Sequence, residues 1–275
     1  MKRIYLFGEG TKEQKNLLGG KGANLSEMKN IGVPVPMGYT ITTEMCNEYY
    51  ANGGKNSEEL LADMREYNKK LEKATGKEFG SKTNPLLLSV RSGARVSMPG
   101  MMDTILNLGL NDDVVEGLVA KTGNVKWVFD IYRRFIHMFG EVVQGVEYEA
   151  FASVLDEIKE KNNYDSDLEL SGEDWKNVST QYLAIVEKET GKPFPQDPYV
   201  QLEMAVNAVF ESWDTPRAVI YRNHNNIEHG WGTAVNVQEM VFGNISDKSG
   251  TGVLFTRNPK TGEKETWGEF LFNAQ

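Results

Sequence analysis

Three segments of this 275-residue chain gather residue types suited to holding phosphate. In LLGGKGANL, residues 17–25, glycines surround Lys21 just ahead of a run, 23–29, that reads as helix. Glycines let backbone N–H groups crowd an anion, a helix N-terminus adds partial positive charge, and the lysine adds a full one. The string is not a Walker A loop, because GxxxxGK[ST] needs Gly where Asn16 stands and Ser or Thr where Gly22 stands. Local sequence leaves a second reading open, a structural Gly-rich turn carrying a surface lysine. In SVRSGARVSMPGMMDT, residues 89–104, a buried-looking strand runs into a loop bearing Arg91, Ser92, Arg95, Ser97 and two glycines. Guanidinium forks match the paired oxygens of a polyphosphate, and ligands gather at strand ends in open sheets. The alternative is that both arginines pair with surface carboxylates. Met98, Met101 and Met102 read as packing.

The third segment is VQEMVFGN, residues 237–244, followed by SGTGVLFTRNP, residues 249–259. A strand here would offer main-chain groups to a flat adenine ring, with Met240 and Val241 beside it. Gly250, Thr251 and Gly252 read as a turn folding over phosphates, or the segment is an ordinary hairpin. The three histidines, His137, His224 and His229, read as structural or solvated, and no metal triad or nucleophile-base pair emerges from the spacing.

The elements that must position these residues follow from periodicity. Up to about Asp112, short β-like runs (IYLF at Ile4, GYTI at Gly38, LLLSV at Leu86) alternate with helical segments, and that alternation argues an α/β unit. Leu60, Met64, Tyr67 and Leu71 make the stripe of an amphipathic helix. From about Asp112 to Pro198 the apolar spacing becomes helical throughout, and GKPFPQDP, residues 191–198, breaks it. A helix with Tyr199, Leu202, Val206, Val209, Phe210 and Trp213 on its buried face follows, and AVNVQEMV, TGVLFT and ETWGEFLF then read as strands.

Composition bounds the function classes. Thirty basic against 39 acidic side chains give net charge -9, the wrong sign for a nucleic-acid binder. Cys46 is the single cysteine, which excludes an internal disulfide and fits a reducing cytoplasm. No run approaches the roughly 20 apolar residues of a membrane span. The closing run GEFLFNAQ, residues 268–275, reads as a strand with no turn or cap behind it, and points to an excerpt of a longer protein.

Together, LLGGKGANL, SVRSGARVSMPGMMDTILNLGLND and SGTGVLFTRNP resemble the pyruvate, phosphate dikinase family, and the resemblance runs along essentially the whole chain. The resemblance implies an ATP-grasp-like nucleotide-binding fold of mixed α+β or α/β class, with a helical insertion and a second lobe cut short. It divides the chain into a first subdomain, 1–111, the insertion, 112–197, a return to the first subdomain, 198–240, and the start of the second lobe, 241–275. Lys21 and Arg91 are then the catalytic contacts to the triphosphate, Gly100 and Met101 line the site, and Thr251 with Gly252 cover it. Gln238, Glu239, Met240 and Val241 flank the adenine, and Arg134 is a further polar contact. The ligands of Mg2+, a carrier histidine and a barrel for pyruvate chemistry lie beyond Gln275, so the isolated chain is expected not to turn over. Partners implied are ATP, phosphate, the phosphohistidine domain and a second copy of the whole enzyme as a homodimer, with no nucleic acid and no membrane. The rivals are phosphoenolpyruvate synthase, which uses water where the dikinase uses phosphate, and a non-catalytic nucleotide-binding module. Uncovered apolar surface near Phe270 is expected to self-associate.

Overall fold

The computed structural model of the chain describes residues 2–274. Contacts divide it into two units, Met1–Met240 and Val241–Gln275. The first unit runs β1 (Ile4–Leu6), α1 (Lys15–Asn30), β2 (Gly38–Ile41), α2 (Thr43–Ala51), α3 (Glu58–Thr75), β3 (Glu78–Phe79), β4 (Pro85–Leu86), β5 (Leu88–Gly93) and β6 (Thr104–Leu108). It continues with α4 (Asp112–Thr122), α5 (Val125–Gln144), α6 (Tyr148–Asn162), α7 (Gly172–Thr190), α8 (Pro198–Glu211), α9 (Pro216–His224) and β7 (Ala234–Glu239).

Five strands form one sheet in the order β1-β2-β7-β5-β6, and every pairing in it is antiparallel. The alternation of strands and helices argues an α/β unit within a mixed α+β or α/β class; the antiparallel sheet puts the fold on the α+β side of that class. Periodicity reports that a strand and a helix exist, not which way the next strand runs. β7, almost at the end of the unit, lies between β2 and β5, so its residues are buried on both faces. Asn236 faces α1, while Val235 and Val237 point the other way, where α8 packs with Leu202, Ala205, Val206 and Val209 buried.

The stretch from α4 to α7 is helical, as the spacing predicts. Asn111 caps α4 by accepting from the Val114 N–H at 2.9 Å, and Ser171 with Asp174 forms a capping box at the start of α7. α5 and α7 pack along their lengths, and Phe135, Phe139, Phe151, Tyr182 and Phe194 interlock edge to face with centroids 4.9–5.5 Å apart. Asp197 caps α8, whose first residue is Pro198, and Thr215 precedes Pro216 at the start of α9.

The second unit is an antiparallel hairpin of β8 (Gly250–Phe255) and β9 (Trp267–Phe272). Thr251 and Gly252, expected in a turn, are strand residues paired with Leu271 and Phe270. The reason is local: a Cβ at Gly252 would lie 2.6 Å from the Glu269 carbonyl oxygen, so this glycine permits close cross-strand approach rather than a reversal of the chain. Val253, Leu254, Phe270, Leu271 and Phe272 are all exposed.

Candidate anion site at the end of β5

Glycine shapes the site before charge does. Helix α1 is kinked at Gly19, whose φ of +66° and ψ of 170° leave the helical region. A Cβ at Gly19 would sit 1.6 Å from the Gly93 carbonyl oxygen, so conformation and space both demand glycine. Past the kink, a Cβ at Gly22 would meet Thr40 Oγ1 at 2.6 Å. The glycines around Lys21 therefore lay the helix directly onto the sheet. This corrects the expected open loop ahead of a helix at 23–29, because helix precedes Lys21 as well as following it. The first N–H after the kink, that of Gly20, is already taken by the Ala94 carbonyl at 2.8 Å.

The same docking brings Lys21 to the end of β5. Its Nζ donates to the Ser92 carbonyl at 2.8 Å. Burial and then the neighbouring Arg91 guanidinium pull the Lys21 ammonium down to about 8. Arg91, half-buried on β5 opposite Thr104 and Asn236, makes no side-chain hydrogen bond or ion pair among the described residues. Two cations are thus held near each other with no carboxylate between them.

Beside them opens a cavity of about 540 Å³ lined by Lys15, Gly20, Lys21 and Asn24 of α1, by the loop from Ser92 through Gly100, and by Met102 and Thr104. Three of its lining residues are basic and none is acidic, in a chain of net charge -9. Such a wall attracts an anion and offers no carboxylate to a Mg2+ ion. Among the described residues, no group of three or more His, Cys, Asp or Glu is placed to hold a metal ion.

The expected site residues distribute unevenly. Lys21 and Gly100 are in the cavity wall, and Gly100 has φ of +71° with open space where a Cβ would point. Met101 is not in the wall; its N–H closes a turn onto the Met98 carbonyl and its own carbonyl accepts from Arg217 Nε at 3.2 Å. Arg134 is not brought there either, because its Nε lies 3.1 Å from both oxygens of Asp130, one turn back on α5. The expectation that β7 offers free main-chain groups to an adenine also needs correction. The N–H groups of Glu239 and Met240 already donate to the Met37 and Leu87 carbonyls, Gln238 is paired on both sides, and the Glu239 carboxylate holds Lys77 at 2.8 Å. Val241, Thr251 and Gly252 belong to the second unit.

Sequence reasoning missed Arg217. From the first turn of α9 it pairs with Asp103 and holds the Met101 carbonyl, tying down the far side of the cavity loop. It is 114 residues from Asp103 in sequence, too far for any local pattern to show.

Residues 15–75 and 54–271 match the family described as "Pyruvate phosphate dikinase, AMP/ATP-binding domain". The whole chain is 54% identical to pyruvate, phosphate dikinase of Rhizobium meliloti and 53% identical to that of Clostridium symbiosum, covering 31% and 32% of those proteins. It is also 53% identical to the chloroplastic pyruvate, phosphate dikinase of Mesembryanthemum crystallinum, of which it covers 29%. The chain thus spans under a third of the length of these curated relatives.

Proposed function

The chain belongs to the pyruvate phosphate dikinase AMP/ATP-binding domain family, and from that premise we propose that its cavity at the end of β5 holds the phosphates of ATP. The observation that carries this reading is the Lys21–Arg91 pair: two neighbouring cations, one half-buried and pulled down in pKa, with no carboxylate to balance them. A polyphosphate supplies the missing negative charge, and in phosphoryl transfer such fixed cations stabilise the charge on the transferred and leaving groups. Gly100 would let the loop approach the phosphates closely. Met240 would flank the adenine, and Val241, Thr251 and Gly252 would be further nucleotide contacts, as the family resemblance implies. Gln238 and Glu239 would act by holding β7 in the sheet.

In the same reading the fold is ATP-grasp-like, divided at 111, 197 and 240, and the whole enzyme converts ATP, phosphate and pyruvate to AMP, diphosphate and phosphoenolpyruvate. This portion phosphorylates a carrier histidine elsewhere in a homodimeric enzyme. The names of the relatives support that reading. Among the described residues no helix is long and apolar enough to cross a membrane. The single cysteine supports a cytoplasmic location, although some relatives are described as chloroplastic.

The test is made in the full-length enzyme. Lys21→Ala and Arg91→Ala each slow histidine phosphorylation by ATP at least ~10²-fold, about 2.7 kcal/mol, and leave exchange on the pyruvate side intact. Histidine phosphorylation at the unsubstituted rate by either variant would sink the assignment.

A further inference from the structure

The two arginines of α9 are placed differently. Arg222 is fully buried: its guanidinium lies 4.1 Å from the centre of the Trp213 ring and donates to the Trp213 carbonyl, to Asp214 at 2.9 Å and to His229 Nδ1 at 3.0 Å. Those bonds fix the short helix to the body of the fold. Arg217 is exposed and reaches the loop between β5 and β6 instead. Its Nε donates to the Met101 carbonyl at 3.2 Å, and an outer nitrogen of the same guanidinium pairs with the Asp103 carboxylate. These two partners flank Met102, which lines the cavity.

The near half of that loop has anchors of its own. The Ala94 carbonyl accepts from the Gly20 N–H at 2.8 Å, and Met98 is buried. The Arg95 guanidinium carbon lies 5.2 Å from the centre of the Trp231 ring, in the 3-10 turn His229–Trp231 that leads to β7. Past Met98 the loop is looser. Pro99 and Gly100 are exposed, and the Met101 N–H bonds only back to the Met98 carbonyl. Among the described residues, the hydrogen bonds that join 99–103 to another element are those of Arg217. An exposed ion pair adds little to folding, so this tie can open and close while the fold stays intact. A fixed helix holding a glycine-containing loop by one weak tie has the build of a latch.

We propose that Arg217 and Asp103 are positioning residues for whatever the cavity binds: their pairing latches the far half of the β5–β6 loop, sets Met102 in the wall and slows release of the ligand. Neither residue lines the cavity, so the pair acts through the loop and not by touching the ligand. The inference rests on the reading that the ligand is ATP.

The test follows MgATP binding to the chain by calorimetry and its dissociation by stopped flow, in Arg217→Gln, Asp103→Ala and the double variant. Each single change weakens MgATP by about fivefold to tenfold, nearly all of it as faster dissociation. The double variant is no weaker than either single one, because both changes remove the same latch. Arg217→Lys keeps a charge opposite Asp103 but not the paired donors, and recovers part of the loss. Amide exchange of residues 99–103 quickens in the Gln and Ala variants while their unfolding midpoints stay close to that of the unsubstituted chain. An unchanged dissociation rate in folded Arg217→Gln, or losses that add in the double variant, overturns the proposal. If Arg217→Gln does not fold, Asp103→Ala carries the test. Unaltered MgATP binding by Arg91→Ala removes the phosphate assignment alone, and faster release from Asp103→Ala then still upholds the latch; no MgATP binding by the unsubstituted chain overturns both.

Discussion

Two pairs of arginines differ in how the fold treats their charge. Arg133 and Arg134 on α5 share one carboxylate, Asp130, with contacts of 2.8–3.1 Å, and Arg133 also lies over the Trp175 ring at 4.3 Å. Arg91 and Arg95, on and just after β5, share nothing: neither has a carboxylate partner, although the chain holds 39 acidic residues. The first pair is finished by the fold. The second is left open, beside a cavity whose wall carries cations only. Charge balance separates the two pairs more sharply than residue type: one already has its anion, and the other is open to the one the proposed site would receive.

The largest effect that sharpens the contrast comes from removing the scaffold anion. Asp130→Ala leaves the nearly buried Arg133 without its partner and lowers folding stability by about 2 kcal/mol in denaturant unfolding. Nucleotide affinity is unchanged. A loss of affinity comparable to that of Arg91→Ala would return the α5 arginines to the site and erase the distinction.

Supplying an anion to the open pair should do the reverse. Thr104 lies directly across from Arg91 in the β5–β6 ladder and lines the cavity. Thr104→Glu places a carboxylate within reach of Arg91. It raises the unfolding midpoint of the ligand-free chain and weakens MgATP by about tenfold, close to 1.4 kcal/mol. Tighter nucleotide binding would contradict the charge argument.

The smallest effect is a pH dependence. The Lys21 ammonium titrates near 8 in the folded chain against an ordinary lysine value of 10.5. Between those values the unfolded chain binds the extra proton, so this residue makes stability rise with pH across that window. Anion affinity moves the opposite way, falling a few-fold as pH rises through about 8 and the charge is lost. Lys21→Arg keeps its charge and abolishes the fall; an identical pH profile in that variant would remove Lys21 from the binding site.

The apolar stripes were plain in the sequence. Leu60, Met64 and Leu71 bury one face of α3 as their spacing predicts, and GYTI, AVNVQE and WGEFLF are strands. Lys21 and Arg91 were marked as candidates by their glycine-rich surroundings and strand-end position, and the fold sets them side by side, with Lys21 in the cavity wall. Strand direction, and whether a given glycine serves a loop or a close contact, were not legible. Gly19 and Gly22 face Gly93 and Thr40, and Gly252 faces Glu269, partners 17 to 74 residues away that no local window contains. Arg134 was named by the family resemblance alone, and its pairing with Asp130 depends on side-chain direction along α5, which residue types do not show. Arg217 and Trp231 became visible only when the fold brought α9 and the turn before β7 to the cavity loop.

The most direct test of the open-pair account is calorimetric titration of the chain with MgATP beside the same chain carrying Arg91→Ala. The account predicts binding in the micromolar to millimolar range that Arg91→Ala weakens by at least ~10²-fold, about 2.7 kcal/mol. Equal affinity in the two proteins, or no binding by either, contradicts it.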